Sequence, residues 1–590
     1  MRIMLPQEGH GQEQKEEARE QGQEPPTENE NPHRNGNKHE NEGEELRTRT
    51  WDIVVVGTGA AGLTAALAAA TFTSTFTSPA STQSPPGGNS QKPIHILLLE
   101  KAPATWAGGN GYFTAAAYRT VHRGLEDILP LVSNVPDELK GKIQLAPYSA
   151  LEFWSDLERV TDGKCGKDLG EVVVRESWES VRWLKDVGGV DWWLSFRRQA
   201  YQVGEDGMWK FWGGLCLTTE EGGKGLIRGL LETVRRQEGC EMLFESEVRK
   251  ILVDATSGET KGVEVVVKGG RAFEVKAKNV ILAAGGFEAN PELRRKWMGA
   301  GWELAHTRGT PYNTGDMLLA AMEVGAKRVG DFSPTGCHSV AWDADSSKTG
   351  GDREKTNEFT KSGYPLGLML NAEGRRFVDE GVDLRNYTYA KFGRAILEQP
   401  QGIAFQVWDR NGQQWLRAEE YRDEIVRKIT ADSIPELARK LQDDGLQHPG
   451  EFVQTINEYN SAVAAYRMEH PDAKLDPAIK DGLSTQSAGV RLGLPKSNWA
   501  GPVNQPPFLA VKVTSGITFT FGGLAINPEN AVVLREDGSE IPGLHCVGEM
   551  VGGLFYSNYP GGSGLTAGAV VGRRAGRAAA ERVHKARSSA

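Results

Sequence analysis

Apolar and polar positions divide the chain into short buried strands and amphipathic helices. The apolar run 52–56 predicts a buried strand, and the alanine-rich stretch 62–70 that follows it predicts a helix. A second apolar run, 94–101, predicts another buried strand that ends at Glu100. Strands that alternate with helices in this way favour an α/β fold built on a parallel sheet. Later patterns predict helices near 148–160, 169–186, 224–238, 433–444 and 451–469, and strands at 279–286 and 544–549.

Two stretches lack such a pattern. Residues 1–48 are rich in Glu, Gln, Asn, Gly and Pro and predict a disordered acidic tail, because they cannot bury enough apolar surface to offset the entropy of ordering. Residues 71–92 are rich in Ser, Thr, Pro and Gly and predict a surface insertion. The formal net charge is −10, and the first 50 residues, with twelve Glu against seven Lys and Arg, carry half of it. An acidic chain without basic clusters does not suit nucleic acid.

Cysteine usage and the N-terminal residues indicate the compartment. The five cysteines are scattered and form no CxxC motif, so we expect no metal site, iron–sulfur cluster or c-type haem. Scattered cysteines fit a reducing compartment, and the first residues show no signal peptide. We therefore expect a cytoplasmic protein that does not span a membrane.

A GxGxxG motif joins the first predicted strand to the first predicted helix. In this context Gly57 allows the tight turn, Gly59 lets the backbone approach a diphosphate, and Gly62 allows the helix to pack against the strand. Ala60 and Ala61 lead into the predicted helix, whose N-terminus presents N–H groups to an anion. Glu100 suits the ribose hydroxyls, although it lies 38 residues after Gly62 instead of about 20, and the insertion at 71–92 accounts for the excess. The alternative is a glycine-rich loop that binds no nucleotide.

Two later stretches favour FAD over NAD. The sequences NVILAAGG (279–286) and LHCVGE (544–549) predict strands that return to a long dinucleotide. Glu549 could bond ribitol or ribose hydroxyls; the alternative is an ordinary helix-capping carboxylate. The sequence GGSGL (561–565) begins a helix whose N-terminus could stabilise an anionic reduced flavin. Since no second GxGxxG follows a strand, we expect the flavin to react with another acceptor, which could be oxygen, a quinone or a partner redox protein.

Residues from about 50 to 580 resemble the flavoprotein family of fumarate reductase, succinate dehydrogenase and 3-ketosteroid Δ1-dehydrogenase. The shared motifs are GTGAAG (57–62), GGN (108–110), AAGGF (283–287) and TGD (314–316). Within this family the chain is most similar to tricarballylate dehydrogenases, in TPYNTGD (310–316), YPLGLMLNAEGRRFVDEGVDLRNYTYAKFG (364–393), GITFTFGGL (516–524) and VGEMVGGLFYSNYPGG (547–562). The cofactor-binding residues predicted from the motifs and the resemblance are Gly57, Gly59, Ala60, Ala61, Gly62, Glu100, Lys101, Gly108, Gly109, Asn110, Ala284, Gly285, Gly286, Asp316, Glu549, Gly564 and Leu565.

The resemblance implies the domain organisation. It implies a Rossmann-like, discontinuous FAD-binding domain made of residues 49–331 and 507–587. An inserted α+β capping domain, 332–506, would close over the flavin, and the substrate would lie between the two. No histidine occurs around the 106–110 stretch, so we expect FAD to be bound non-covalently.

The resemblance also implies the catalytic residues. Family members pass a hydride between a substrate carbon and the flavin while an arginine carries the proton, and the matching residue is Arg385. A guanidinium has a pKa above about 12 and serves as a base only if its site lowers that value. Otherwise Arg385 is a carboxylate clamp, and Tyr387 or Tyr389 could handle the proton. The structural alternative is an ion pair between Arg385 and Glu380 or Asp383.

The chain departs from fumarate reductases at the substrate. Thr518 and Phe519 replace two adjacent family histidines, and Tyr559 with Pro560 replaces the substrate arginine motif. Fumarate reduction is therefore not expected. Tyr559 resembles the ketone-binding tyrosine of ketosteroid dehydrogenases; its alternative is a packed aromatic residue in a loop.

The leading hypothesis is an FAD-dependent dehydrogenase that forms a C=C bond in a polycarboxylate, converting tricarballylate to cis-aconitate. Its carboxylates would need buried donors. A Δ1-ketosteroid-dehydrogenase-like enzyme or an ene-reductase acting on a neutral ketone or secondary metabolite is the enzymatic alternative, and a flavin-binding sensor is the non-enzymatic one. Candidate substrate donors are Arg308, His338, Arg375 or Arg376, Arg385, Thr518 and Thr520, and candidate pocket walls are Trp192, Trp193, Trp209 and Trp212.

Overall fold

The computed structural model describes residues 46–72, 92–203, 207–211, 214–346 and 352–589. Positions 1–45 of the predicted tail, 73–91 of the predicted insertion, and Trp212 lie outside these residues. Among the described helices, none combines the length and the apolar composition needed to span a bilayer.

The first part of the chain forms most of the larger sheet. Its strands run in the order β4-β5-β6-β1-β2-β3, with β1 parallel to both β2 and β6, and β5 antiparallel to both β4 and β6. The apolar run in β1 is buried on both faces, as expected for a central parallel strand. The strands are β1 (Thr50–Val56), β2 (Ile96–Leu99), β3 (Cys240–Leu243), β4 (Ser246–Val253), β5 (Thr260–Val267) and β6 (Phe273–Leu282).

Helices and two small sheets accompany these strands. The helices are α1 (Ala60–Ala70), α2 (Ala150–Val160), α3 (Lys167–Asp186), α4 (Gly223–Arg235) and α5 (Asp316–Glu323). Ser149 begins α2 with a reciprocal capping box, since Glu152 N donates to its hydroxyl and its own N–H donates to the Glu152 carboxylate. The two three-stranded sheets contain Tyr118–Arg119, Trp192–Leu194 and Leu215–Thr219, and Ile143–Gln144, Ala200–Val203 and Met208–Phe211.

The middle of the chain forms a second sheet around one long strand. This strand, β12, has 13 residues and pairs with β7, β8, β10 and β11. The strands are β7 (His306–Thr307), β8 (Cys337–Asp343), β9 (Leu368–Asn371), β10 (Ala404–Trp408), β11 (Ile429–Ala431) and β12 (Phe508–Thr520). The helices are α6 (Tyr389–Leu397), α7 (Ile434–Leu441) and α8 (Pro449–Glu469).

Consecutive apolar side chains of β9 point to opposite faces of this sheet, and both faces are covered by helices. Leu368 and Leu370 pack in the cluster that contains Leu437 of α7 and Phe452 of α8. Met369, which lies between them, packs on the opposite face with Phe392 of α6. A strand with apolar residues at consecutive positions is therefore sandwiched between helices.

The end of the chain returns to the first sheet. Strand β14 (Glu540–Cys546) pairs in parallel with β6, and β13 (Val532–Leu534) pairs with β14. Helix α9 (Ser563–Ser588) then packs along α1. The larger sheet thus draws on both ends of the chain. The predicted fold class, a discontinuous Rossmann-like domain with an inserted α+β part, is confirmed.

Glycines set the distance between α1 and α9. A Cβ at Gly572 would lie 2.9 Å from the carbonyl oxygen of Ala61, and one at Gly576 would lie less than 3.0 Å from that of Ala65. Real Cβ atoms do not approach a backbone carbonyl so closely, so any side chain at these positions would push the helices apart.

Substituting Gly576 with alanine should destabilise the protein, although alanine is the better helix former. The clash with the α1 backbone should cost about 1–3 kcal/mol, as overpacking does elsewhere, and should lower the thermal unfolding midpoint. Gly450→Ala in α8 is the control, because a Cβ there has no neighbour within 4 Å. It should raise the midpoint slightly, and equal shifts in the two variants would disprove the close-packing argument.

Candidate active site

A cavity lies at the carboxyl ends of β1, β2 and β6 and reaches the end of β12. Val56, Leu99 and Ala283 line it from the first sheet, and Thr518 and Thr520 line it from β12. Of the predicted cofactor residues, those on its wall are Gly57, Gly59, Ala60, Ala61, Glu100, Lys101, Gly109, Asn110, Ala284, Gly285, Asp316, Glu549, Gly564 and Leu565. Gly62, Gly108 and Gly286 lie behind that wall.

The turn after β1 has the geometry that the motif predicts. Gly57 has a φ of +107°, and a Cβ there would collide with the carbonyl of Ala283. Gly62 lies against the Gly57 carbonyl, which agrees with its predicted packing role. Gly59 precedes α1 and has no close neighbour, so its backbone is accessible from the cavity. This end of α1 therefore presents free N–H groups and the positive end of the helix dipole to an anion.

Glu100 is held at the cavity wall by backbone donors. Its Oε2 accepts hydrogen bonds from Thr58 N at 2.9 Å and Thr58 Oγ1 at 2.7 Å, and its Oε1 accepts one from Ala102 N at 2.9 Å. A carboxylate has about four acceptor sites, so it can still accept hydrogen bonds from ribose hydroxyls. The predicted role of Glu100 fits this geometry.

The start of α9 also lines the cavity. Gly562, with a φ of +84°, precedes the helix, and Gly564 and Leu565 line the cavity. Lys101 forms an ion pair with Asp316 and donates to Thr314 Oγ1 at 2.5 Å, which ties the loop before α5 to the wall. Two helix N-termini, a carboxylate with free acceptor sites and an extended cleft together fit the diphosphate and the two ends of FAD.

Asn110 and Glu549 bind protein groups as well as bordering the cavity. The Asn110 amide donates to Glu288 Oε1 at 2.7 Å and to the Thr518 carbonyl at 2.5 Å. Glu549 accepts a hydrogen bond from the backbone N–H of Thr520 at 2.8 Å, so its carboxylate binds the end of strand β12. Both residues therefore connect the two sheets at the cavity.

Arg308 is a buried cation on the far wall of the cavity. Its guanidinium donates to Thr360 Oγ1 at 3.0 Å, to Thr518 Oγ1 at 2.9 Å and to Asn357 Oδ1 at 2.8 Å, all of which are neutral oxygens. Arg308 forms no ion pair with any described residue. Burial and the charge of Arg198 lower its pKa. A buried guanidinium with only neutral partners is poised to receive an anion.

Arg385 lies on the same wall. Its Nη2 donates to the Arg198 carbonyl at 2.7 Å, and its Nε is buried without a hydrogen-bond partner among the described residues. The structural alternative for Arg385, an ion pair with Glu380 or Asp383, does not form. Glu380 pairs with Arg376, and Asp383 pairs with Arg159. Burial, with Arg417 nearby, lowers the pKa of Arg385 to about 10. This shift reduces the cost of deprotonation at neutral pH by about 3 kcal/mol, so both predicted roles, clamp and proton carrier, fit the geometry.

The sequence did not indicate the groups that surround Arg385. Arg417 also donates to the Arg198 carbonyl, at 2.6 Å, and both Arg198 and Arg417 lie 3.7 Å from Glu420 Oε1. Ser362 donates to Glu420 through N and Oγ. Burial opposes ionisation of Glu420, but Arg417 and Arg198 outweigh it and lower its pKa. These residues come from distant segments and share no motif, so only the folded chain brings them together.

An aromatic cluster forms the rest of this end of the cavity. Tyr559 Oη and Tyr389 Oη are 2.5 Å apart, and the His338 ring contacts both tyrosine rings. Neither His338 nitrogen has a hydrogen-bond partner among the described residues, and burial lowers its pKa well below the usual value, so the ring is neutral. Burial raises the pKa of Tyr559 well above 10. Tyr559 is therefore a neutral donor on the cavity wall.

Several candidates lie elsewhere. The hydroxyl of Tyr387 donates to Asp156 at 2.6 Å and accepts from Arg119, away from the cavity wall that Tyr389 lines. Arg375 pairs with Glu451 in the second sheet region. The cavity wall does not include Trp192, Trp193 or Trp209.

Comparison with known proteins agrees with this geometry. The FAD binding domain family model matches residues 142–565. The chain is 26% identical over 549 residues to a probable fumarate reductase, Ifc3, of Shewanella frigidimarina, covering 90% of this chain and 75% of that protein. It is 25% identical over 547 residues to the NADH:fumarate oxidoreductase of Klebsiella pneumoniae, covering 92% of this chain but only 48% of that protein, about half its length.

A solved structure supports the same fold. The 3-ketosteroid Δ1-dehydrogenase of Sterolibacterium denitrificans superposes with a TM-score of 0.65 at 17% identity, covering 90% of this chain and all of that one. The family model covers most of the chain, and the cavity fits the cofactor. The chain therefore belongs to the FAD binding domain family and is an FAD-dependent oxidoreductase.

Proposed function

We propose that the enzyme oxidises or reduces a carbon–carbon bond in a substrate that carries carboxylates. The observation that supports this most directly is Arg308, a buried guanidinium whose hydrogen-bond partners in the described residues are all neutral. A ligand carboxylate would supply the missing counter-charge through charge-assisted hydrogen bonds. The names of similar proteins, which include fumarate and acrylate oxidoreductases, are consistent with an unsaturated acid as substrate or product.

The charge of the site fits more than one carboxylate. Among the described residues at this end of the cavity, four arginines (Arg198, Arg308, Arg385 and Arg417) face two acids, Glu419 and Glu420, which leaves an excess of two positive charges. The substrate we propose is tricarballylate, which would be converted to cis-aconitate. Thr518 and Thr520, at the end of β12, add hydroxyl groups on the same wall.

FAD, when bound in the cavity, would supply the hydride-accepting chemistry. Arg308 would hold one carboxylate and thereby fix the orientation of the carbon chain. Arg385 would bind a second carboxylate or take the proton from the neighbouring carbon, since its lowered pKa makes proton transfer cheaper than at an exposed arginine. The apolar rings of Phe519, Phe521 and Phe555 exclude water from this end of the cavity.

A second candidate function is oxidoreduction of a neutral ketone, as in a ketosteroid dehydrogenase or an ene-reductase. The observation that favours it is the hydrogen bond between Tyr389 and Tyr559, beside a neutral His338. A tyrosine hydroxyl supported by a second one can donate to a carbonyl oxygen without any charged partner.

Anaerobic titration of the purified holoenzyme should separate these functions. We expect tricarballylate to bleach the oxidised flavin band, because the two free guanidinium charges select a polyanion. A 3-ketosteroid should leave the spectrum unchanged. Bleaching by the ketone alone would favour the second function, and bleaching by neither would rule out tricarballylate as the substrate.

Acid precipitation of the same preparation should leave free FAD in solution, because we propose that the flavin is not covalently attached.

Replacing Arg308 with glutamine should weaken substrate binding while flavin binding persists. Loss of one charge-assisted contact worth about 1.5–3 kcal/mol predicts that KM for the carboxylate substrate rises by about 10- to 150-fold. Arg123→Gln is the control, since Arg123 is exposed and pairs with Asp127 outside the cavity. An unchanged KM in the Arg308 variant would rule out its role as a carboxylate site.

Arg385→Lys and Tyr559→Phe should have unequal effects on turnover. If Arg385 carries the proton of a carboxylate substrate, the lysine variant should lose about 10²- to 10⁴-fold in kcat, and the phenylalanine variant much less. Tyr466→Phe in α8 controls for the loss of a tyrosine hydroxyl elsewhere. The opposite order, with turnover insensitive to Arg385→Lys and abolished by Tyr559→Phe, would favour the ketone function.

A further inference from the structure

Two carboxylic acids meet in the wall between the cavity and the first sheet. Glu288 follows the loop after β6 and is fully buried, and Glu549 follows β14 and borders the cavity. Gly286 lies between them: a Cβ there would be less than 3.0 Å from both Glu288 Oε2 and Glu549 Oε1. The absence of a side chain at residue 286 therefore allows the two carboxyl groups to approach each other.

The hydrogen-bond donors around the pair leave one oxygen unsatisfied. Glu288 Oε1 accepts from Asn110 Nδ2 at 2.7 Å and from Asn313 Nδ2 at 2.6 Å. Glu549 Oε1 accepts from Thr520 N at 2.8 Å and Thr520 Oγ1 at 3.2 Å. Glu288 Oε2 is buried and receives no hydrogen bond from the described residues if both acids are ionised. Ionised carboxylates only accept, so a proton between the two acids would satisfy this oxygen and remove one of two adjacent negative charges.

The surrounding charges do not replace this proton. Arg294 is a cation near Glu288, and its own hydrogen bonds go to the carbonyls of Ala305 and Glu303. The remaining neighbours, Asn110, Asn313 and Thr520, are neutral. Burial raises the pKa of Glu288, and burial together with the charge of Glu288 raises that of Glu549 well above its usual range.

We propose that Glu288 and Glu549 share one proton and so form a proton-binding site in the wall of the FAD cavity, and that this proton must be retained for tight FAD binding. FAD in the cavity would displace water from Glu549 and would make a second negative charge there more costly. The proton is released to solvent at alkaline pH, and FAD affinity falls as it is lost. This inference depends on the cofactor and not on the proposed substrate.

The direction of the pH effect follows from the displacement of water by FAD, which makes ionisation of the pair more costly in the holoenzyme. The pair in the holoenzyme retains its proton to a higher pH than the pair in the apoprotein, so FAD binding is coupled to proton retention between those two values. The Kd for FAD should therefore rise with pH across this window, by at most tenfold per pH unit for one proton.

The test is the Kd for FAD, measured by flavin fluorescence from mildly acidic to alkaline pH. The wild-type Kd should rise as described. In Glu288→Gln the amide donates to Glu549, so the pair keeps the same charge without a labile proton and the Kd should vary little with pH. Glu451→Gln, an acid that pairs with Arg375 away from the cavity, should behave as wild type. A Glu288→Gln variant with the wild-type pH dependence would overturn the proposal.

A second measurement covers failure of that variant to fold. The infrared spectrum of the wild-type holoenzyme should contain the band of a protonated carboxyl group at neutral pH, where ordinary acids are ionised. The band should shift in deuterated solvent and should disappear in alkaline buffer together with FAD affinity. Its absence at neutral pH would show that the pair is fully ionised and would overturn the proposal.

Discussion

Helices α1 and α9 pack so closely that Gly572 and Gly576 lie against the backbone of α1. This contact joins the two ends of the chain, because α1 follows the first strand and α9 is the last element. It also sets the positions of both helix N-termini, which line the same cavity. The partial positive charges that the two helices present to the cavity are thus fixed by helix packing.

The second sheet reaches the cavity through one strand. Strand β12 pairs with most of its sheet and ends at Thr518 and Thr520, so it brings the wall that holds Arg308 next to the wall that holds Asn110 and Glu549. The Thr518 carbonyl binds Asn110, its hydroxyl binds Arg308, and the Thr520 backbone binds Glu549. A displacement of β12 would therefore alter the contacts with Asn110, Arg308 and Glu549 together, so this strand couples the two walls of the cavity.

The parts of the site that the sequence predicts are those carried by local pattern. A buried strand, a glycine turn and a helix define the diphosphate end, and Glu100 was found at the expected strand end in spite of a long insertion. Arg385 was predicted because one stretch of the sequence resembles the family. Arg198, Arg417 and Glu420 were not found, since their proximity depends on how two sheets meet. Tyr387 and Tyr389 are two residues apart, yet the turn between them directs the first to Asp156 and the second to the cavity, and no periodicity distinguishes them.

The two walls of the cavity deal with buried charge in opposite ways. On the wall that holds Arg308 and Arg385, cations exceed acids among the described residues. On the cofactor wall, acids exceed nearby cations, and the least costly solution is to keep one proton. Both conditions arise from the same cause, since burial makes any unpaired charge expensive. The end of β12 contacts both walls, since Thr518 binds Arg308 and Thr520 binds Glu549. A charge placed beside Arg308 would therefore lie only two residues of β12 away from the contact with Glu549, and would change the electrostatic environment there.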